Sequence, residues 1–142
     1  LNNQPKVAGS VSYPSARTDF AYTLAFSKDD KVILPLNNVK ENKLVKFDYN
    51  GGKGTISILA YLAEDGKVIT AISMCEPCNS TDFHIIKSNL ICNSCCTTWN
   101  LNDLTAISGS CGKYPPDPLP SIIVGNEIQI DKSLVENWKR RV

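Results

Sequence analysis

Residues 20–26 read F-A-Y-T-L-A-F, with large side chains at every second position and smaller ones between. That two-residue period predicts a half-buried β-strand. Residues 31–36 carry Val32, Ile33 and Leu34 but also Pro35, which confines the segment to an edge strand or a strand end. The stretch 43–49, K-L-V-K-F-D-Y, runs into the turn Asn50-Gly51-Gly52-Lys53-Gly54, and 55–62 is the next strand. Glu64-Asp65-Gly66-Lys67 predicts a tight hairpin whose return strand, 68–74, delivers the chain to Cys75. Beyond Cys78, residues 83–86 and 89–91 predict a short hairpin ending at Cys92, and 97–101 leaves the second cysteine pair as another strand. A Pro-rich loop at 114–118 precedes 119–124 and 127–130, which pair around Gly125-Asn126. The one expected helix starts near Ser133, where Asp131 and Glu136 supply cap residues. The fold class expected is therefore mainly β, a single antiparallel β sandwich with a short C-terminal helix.

Composition adjusts this picture little. With 142 residues, 42% hydrophobic and 20% charged, the chain matches ordinary globular proteins and is long enough to bury a core of its own. Its net charge of +1 and lack of a long basic run exclude electrostatic nucleic-acid binding. The cluster Lys139-Arg140-Arg141 reads as a solvated helix end, with a weak anchor on an acidic surface as the alternative. No apolar stretch approaches the roughly 18 residues that span a bilayer. Residues 1–15, rich in Asn, Gln, Pro, Gly and Ser, read as an extended arm or tether ahead of a domain at 16–142. Such an arm also offers self-assembly by strand addition to a neighbour. The chain begins at Leu1 and its only Met is Met74, so either a leader or anchor was removed or the chain was shortened; the first option is the expected one and implies a domain outside the cytoplasm.

All six cysteines lie between 75 and 111, as C-E-P-C, then C-N-S-C-C, then Cys111. A disulfide framework would spread them over the chain, but the N-terminal half has none. Two C-x-x-C units, with residues 79–91 between them, are a metal pattern in which Cys75, Cys78, Cys92 and Cys95 form one four-thiolate site. Two disulfides among the four are the alternative. Soft thiolates select iron, an iron–sulfur centre, zinc or Cu(I) and exclude Mg²⁺ and Ca²⁺. Cys96 and Cys111 remain, read as a disulfide that closes 97–110 or as auxiliary thiols, and together with Met74 they would serve a Cu(I) site. His84, in F-H-I-I, reads as a surface strand residue rather than a ligand, and Trp99 as a shield over the site. Without a Ser/His/Asp set, a carboxylate pair in a cleft or a Gly-rich phosphate loop, the expectation is a carrier or binding module and not an enzyme.

From 89 to 130 the order N-L-I-C-N-S-C-C-T-T-W-N-L, G-S-C-G and P-D-P-L-P-S-I-I-V-G-N-E-I-Q-I resembles the second half of a Rieske domain. Rieske loops each offer one Cys and one His, whereas this chain has Cys at all four positions, so the resemblance implies the scaffold and not a Rieske cluster. The chain more closely resembles the FtrD-like membrane iron–sulfur protein family. The features that carry this are Asp65-Gly66, Cys75/Cys78, Cys92/Cys95 with Trp99, Cys111, and the Pro-rich stretch 116–120. They span roughly residues 40–131, and the chain departs from the family at Cys96, where a small residue such as Gly is usual. The resemblance implies an extracytoplasmic electron-transfer domain with an iron–sulfur centre, linked to membrane iron transport and served by a membrane-associated redox partner. A structural zinc module, a Cu(I) carrier and an extracellular assembly subunit are the competing readings.

Overall fold

The computed structural model describes residues 4–142. The chain forms β1 (Thr18–Asp19), β2 (Ala21–Tyr22), β3 (Phe26–Lys28), β4 (Lys31–Pro35), helix α1 (Leu36–Asn42), β5 (Leu44–Gly51), β6 (Gly54–Leu62) and β7 (Val68–Ile72). A 3₁₀ turn at Glu76–Cys78 leads to β8 (Phe83–Ile86), β9 (Asn89–Cys92), β10 (Thr98–Asn100), β11 (Ala106–Ser108), β12 (Ser121–Val124), β13 (Glu127–Asp131) and helix α2 (Lys132–Glu136). The strands form three sheets, ordered β2-β5-β6-β7, β1-β8-β9-β10-β11 and β12-β13-β4-β3. The pairings are antiparallel except β2 on β5.

The protein is mainly β, as expected, but its layers number three. Successive side chains of a strand point to opposite faces, and on β6 and β7 both faces are covered. Leu59, Tyr61, Ile69 and Ala71 enter one core together with Phe83 and Trp99 of the five-stranded sheet. Ile58, Ala60, Val68 and Ile72 enter a second core with Leu34 and Ile130 of the other four-stranded sheet. A strand buried on both faces reads as a near-continuous apolar run, which is how 55–62 and 68–72 appear in the sequence. The five-stranded sheet, pressed on one side of this central slab, carries the cysteine loops.

Several local expectations change. In 20–26 the large residues Tyr22, Leu24 and Phe26 face solvent, while the small Ala25 packs on the second core and Ala21 pairs with Val45. Phe20 packs on the first core, and the segment is not the single strand expected: β2 joins the sheet of β5, while β3 joins that of β4. Pro35 closes β4, which lies between β13 and β3, so the strand-end option is the one realised. Helix α1 follows at once, with Leu36 and Val39 buried one turn apart. At seven residues it is too short to display a helical period in the sequence. The expected side-chain cap on α2 is not made; the Asp131 carboxylate pairs with Lys31 instead.

The described part of the N-terminal arm is docked. Val68 N–H donates to Pro5 O (2.8 Å), Val7 N–H to Gly66 O (2.9 Å) and Val11 N–H to Glu64 O (2.9 Å). Gly66, at φ +87°, is required here: a Cβ would sit 2.0 Å from Ala8 O. The buried Tyr13 donates its hydroxyl proton to Leu62 O at 2.6 Å. Residues 1–3 of the arm lie outside the described residues.

Candidate metal centre

Strand β7 ends three residues before Cys75, and the chain turns back through Cys78. Cys75 N–H donates to Ser80 O (2.8 Å) and Cys78 N–H to Cys75 O (3.2 Å). Asn79, directly after the second cysteine, takes the left-handed conformation (φ 64°). The second loop repeats this construction at the end of β9. Cys92 N–H donates to Thr97 O (3.0 Å), Cys96 N–H to Cys92 O (3.1 Å), and Cys96 is left-handed at φ 61°. The two C-x-x-C units are thus matched knuckles, each turned by one left-handed residue.

The knuckles bring their thiols together. Cys75 Sγ lies 3.7 Å from Cys95 Sγ, and Cys78 Sγ lies 3.6 Å from Cys92 Sγ. Cys111, in the loop after β11, adds its sulfur 3.7 Å from Cys95 Sγ. The sulfurs of Cys75, Cys78, Cys95 and Cys111 all lie within 4.8 Å of one another. The sequence-predicted quartet had Cys92 in place of Cys111; Cys92 is beside this set, in contact with Cys78. Cys96 is exposed and, like the other five, a free thiol, so the structure places no bond between it and the buried Cys111.

Thr97 ties the pieces together. Its hydroxyl accepts from Cys111 N–H (3.2 Å) and lies 3.1 Å from Cys95 Sγ. Burial alone would raise the Cys95 thiol, but hydrogen bonding with the Thr97 side chain and backbone, with help from Cys92 and Cys75, brings it down to about 6. Burial pushes Cys75 and Cys78 the other way, and the crowding of neighbouring sulfurs pushes Cys75 further. A thiol cluster of this kind gives up its remaining protons when it takes up a cation.

Trp99 is fully buried under the site, beside Phe83, and donates Nε1–H to Gly112 O at 3.0 Å, which pins the Cys111 loop to β10. His84 Nδ1 is engaged 2.6 Å from Asn93 Oδ1, and Met74 packs on the second core, away from the sulfurs. One feature the sequence reading missed lies inside the first knuckle. Glu76 is fully buried, and its carboxylate accepts from the Arg141 backbone N–H, Nη2 and Nε (2.8 Å for the last). Arg140 donates to Glu76 O, and Arg141 also to Pro115 O. Arg140 and Arg141 therefore grip the first knuckle, where a solvated helix end was expected. The only sequence signal was an acidic residue set between two cysteines.

A family model described as "Membrane iron-sulfur containing protein FtrD-like" matches residues 39–142, which include all six cysteines and the gripping tail. The chain belongs to this family. Searches of curated proteins and of solved structures return no match. The family description is of a membrane protein; among the described residues no helix is long and apolar enough to cross a membrane.

The donor set fits what the family description implies. Thiolates are the ligands of iron–sulfur centres. For a metal–sulfur bond of about 2.3 Å, a tetrahedron has sulfur–sulfur edges of about 3.8 Å. The observed contacts of 3.6 and 3.7 Å match that edge, and they are far longer than a disulfide bond of about 2.05 Å. Family and cluster together fit a metal-binding domain.

Proposed function

We propose that this domain is an extracytoplasmic electron carrier whose thiolate-held iron centre serves a membrane-associated redox partner, in the setting of iron transport or extracellular redox. The observation that carries the reading is the convergence of thiols from two matched knuckles at the spacing of ligands on one tetrahedral ion. Bound iron would supply a one-electron couple. The chain's own part is to hold the ligands still and near the surface. Cys75, Cys92 and Cys111 are buried against the core, while Cys78 and Cys95 are half-buried on the outward side. A four-thiolate shell leaves no open position for a substrate, which favours outer-sphere transfer over catalysis.

The same closed tetrahedral shell also supports a second reading, a structural zinc that ties two loops together. The Cu(I) reading loses two of its auxiliary sulfurs, since Met74 packs on the other core and Cys96 points to solvent.

Anaerobically isolated protein separates these. The electron-carrier reading expects a coloured protein containing iron, with charge-transfer bands bleached by dithionite. A colourless protein holding zinc, with no redox wave, overturns it. Replacing Cys75 or Cys95 by Ser is expected to abolish metal retention, measured by elemental analysis.

A further inference from the structure

The site holds more sulfur than a four-coordinate ion takes. Cys75, Cys78 and Cys95 form a trio drawn from the two knuckles. Two more thiols reach this trio from different elements. Cys92, at the end of β9, lies 3.6 Å from Cys78 Sγ; Cys111, from the loop after β11, lies 3.7 Å from Cys95 Sγ. Each distance matches the tetrahedral edge of about 3.8 Å. Both residues are buried in the first core, so neither is a stray surface thiol, and each also faces another sulfur.

The placement of Cys111 is built in. Thr97 binds its backbone N–H and touches the Cys95 sulfur. Trp99 holds Gly112 O. At Gly109 (φ +101°) a Cβ would meet Thr97 Cα at 2.5 Å, so the loop lies directly on the strand with no side chain between. The placement of Cys92 is equally fixed, by its ladder bond to Thr97 O and its pairing with Phe83. Cys111 thus lies within 4.8 Å of all three sulfurs of the trio, and Cys92 stands 3.6 Å from one of them, Cys78.

Resting on the metal-centre reading above, we infer that Cys92 and Cys111 are interchangeable fourth ligands of one ion held by Cys75, Cys78 and Cys95. Exchange breaks one metal–sulfur bond and forms another. The incoming thiol releases a proton and the departing thiolate takes one up, so the charge of the centre is unchanged and no electron moves. With Cys92 as the spare thiol, the ion stays four-coordinate when the Cys111 loop lifts.

The test is titration of reduced, metal-free protein with Co(II) under anaerobic conditions, reading the tetrahedral d–d bands and sulfur-to-metal charge transfer. Wild type, C92S and C111S are each expected to bind one Co(II) per chain with a four-thiolate spectrum and affinities within about tenfold of one another. The C92S/C111S double variant is expected to lose at least about a thousandfold in affinity, as C95S does alone. C92A and C111A, which offer no oxygen in place of sulfur, are expected to repeat the single-variant result, and circular dichroism checks that each is folded. The inference is overturned if a folded single variant fails as severely as C95S, if the double variant still binds like wild type, or if wild type takes two Co(II). Wild type that binds no Co(II) instead defeats the metal-centre reading itself.

Discussion

Asn79 and Cys96 occupy the same place in the two knuckles, directly after the second cysteine, and both are left-handed, at φ 64° and 61°. This conformation costs an L-residue about 1–2 kcal/mol, less for Asn, whose short polar side chain tolerates it. It also explains why a small residue suits position 96, a requirement that the sequence shows only as a departure from a family habit. Cys96→Gly is expected to stabilise the fold by about 0.5–1 kcal/mol, net of the entropy Gly adds to the unfolded chain. Asn79→Gly is expected to gain less. Urea denaturation of the two variants measures the difference, and metal content should be unchanged in both, since neither residue is in the sulfur cluster.

Among the elements, the C-terminal segment is coupled to the first knuckle through Glu76. The carboxylate is fully buried and Arg141 is its only cationic partner among the described residues. Breaking a buried pair by removing one partner typically costs about 3–5 kcal/mol. With the Arg141 side chain 30% exposed, screening moves the expected loss for Arg141→Ala to the low end, about 3 kcal/mol. The Arg141 backbone N–H still reaches Glu76 in that variant, which limits the loss further. Arg141→Lys keeps the charge but not the fork of donors and is expected to recover part of it. Equilibrium denaturation gives these values. Metal dissociation from Arg141→Ala, followed with a chromogenic chelator, is expected to be faster because the first knuckle has lost its tie.

On the scale of the molecule, the cysteine loops belong to a sheet whose buried face is one of the two cores. Cys75, Cys92 and Cys111 are themselves members of that core. Metal binding and folding are therefore linked, and a bound ion at a thousand times its dissociation constant adds about 4 kcal/mol to stability. Chelation is expected to lower the melting temperature of the wild type by several degrees, and to leave that of Cys95→Ser, which holds no ion, where it was. Differential scanning calorimetry with and without chelator checks this.

Much of this was legible in the sequence. The hairpin at Asp65-Gly66, the pair 83–86 and 89–91, and the final hairpin around Gly125 all rest on local signals: a turn residue flanked by β-favouring runs. The two C-x-x-C knuckles rest on a spacing of three residues, which backbone geometry alone converts into convergent thiols. What escaped the sequence depends on contacts between distant segments. The period of 20–26 suggested one strand, but the segment divides between β2 and β3 of two sheets, because the layer each part joins is set by distant partners. Arg141 looked like a solvated charge until Glu76, 65 residues away, was placed beside it.

The chain by itself determined that two loops would each present a pair of thiols at the ends of β-strands, since turn chemistry and two-residue periodicity are properties of neighbouring residues. Only the tertiary structure decided that the Cys111 sulfur lies within 4.8 Å of those of Cys75, Cys78 and Cys95. Cys111 carries no local signal for a ligand; it enters the site because Thr97 and Trp99 hold its loop against β10, and that depends on how the chain packs and not on how it is spelled.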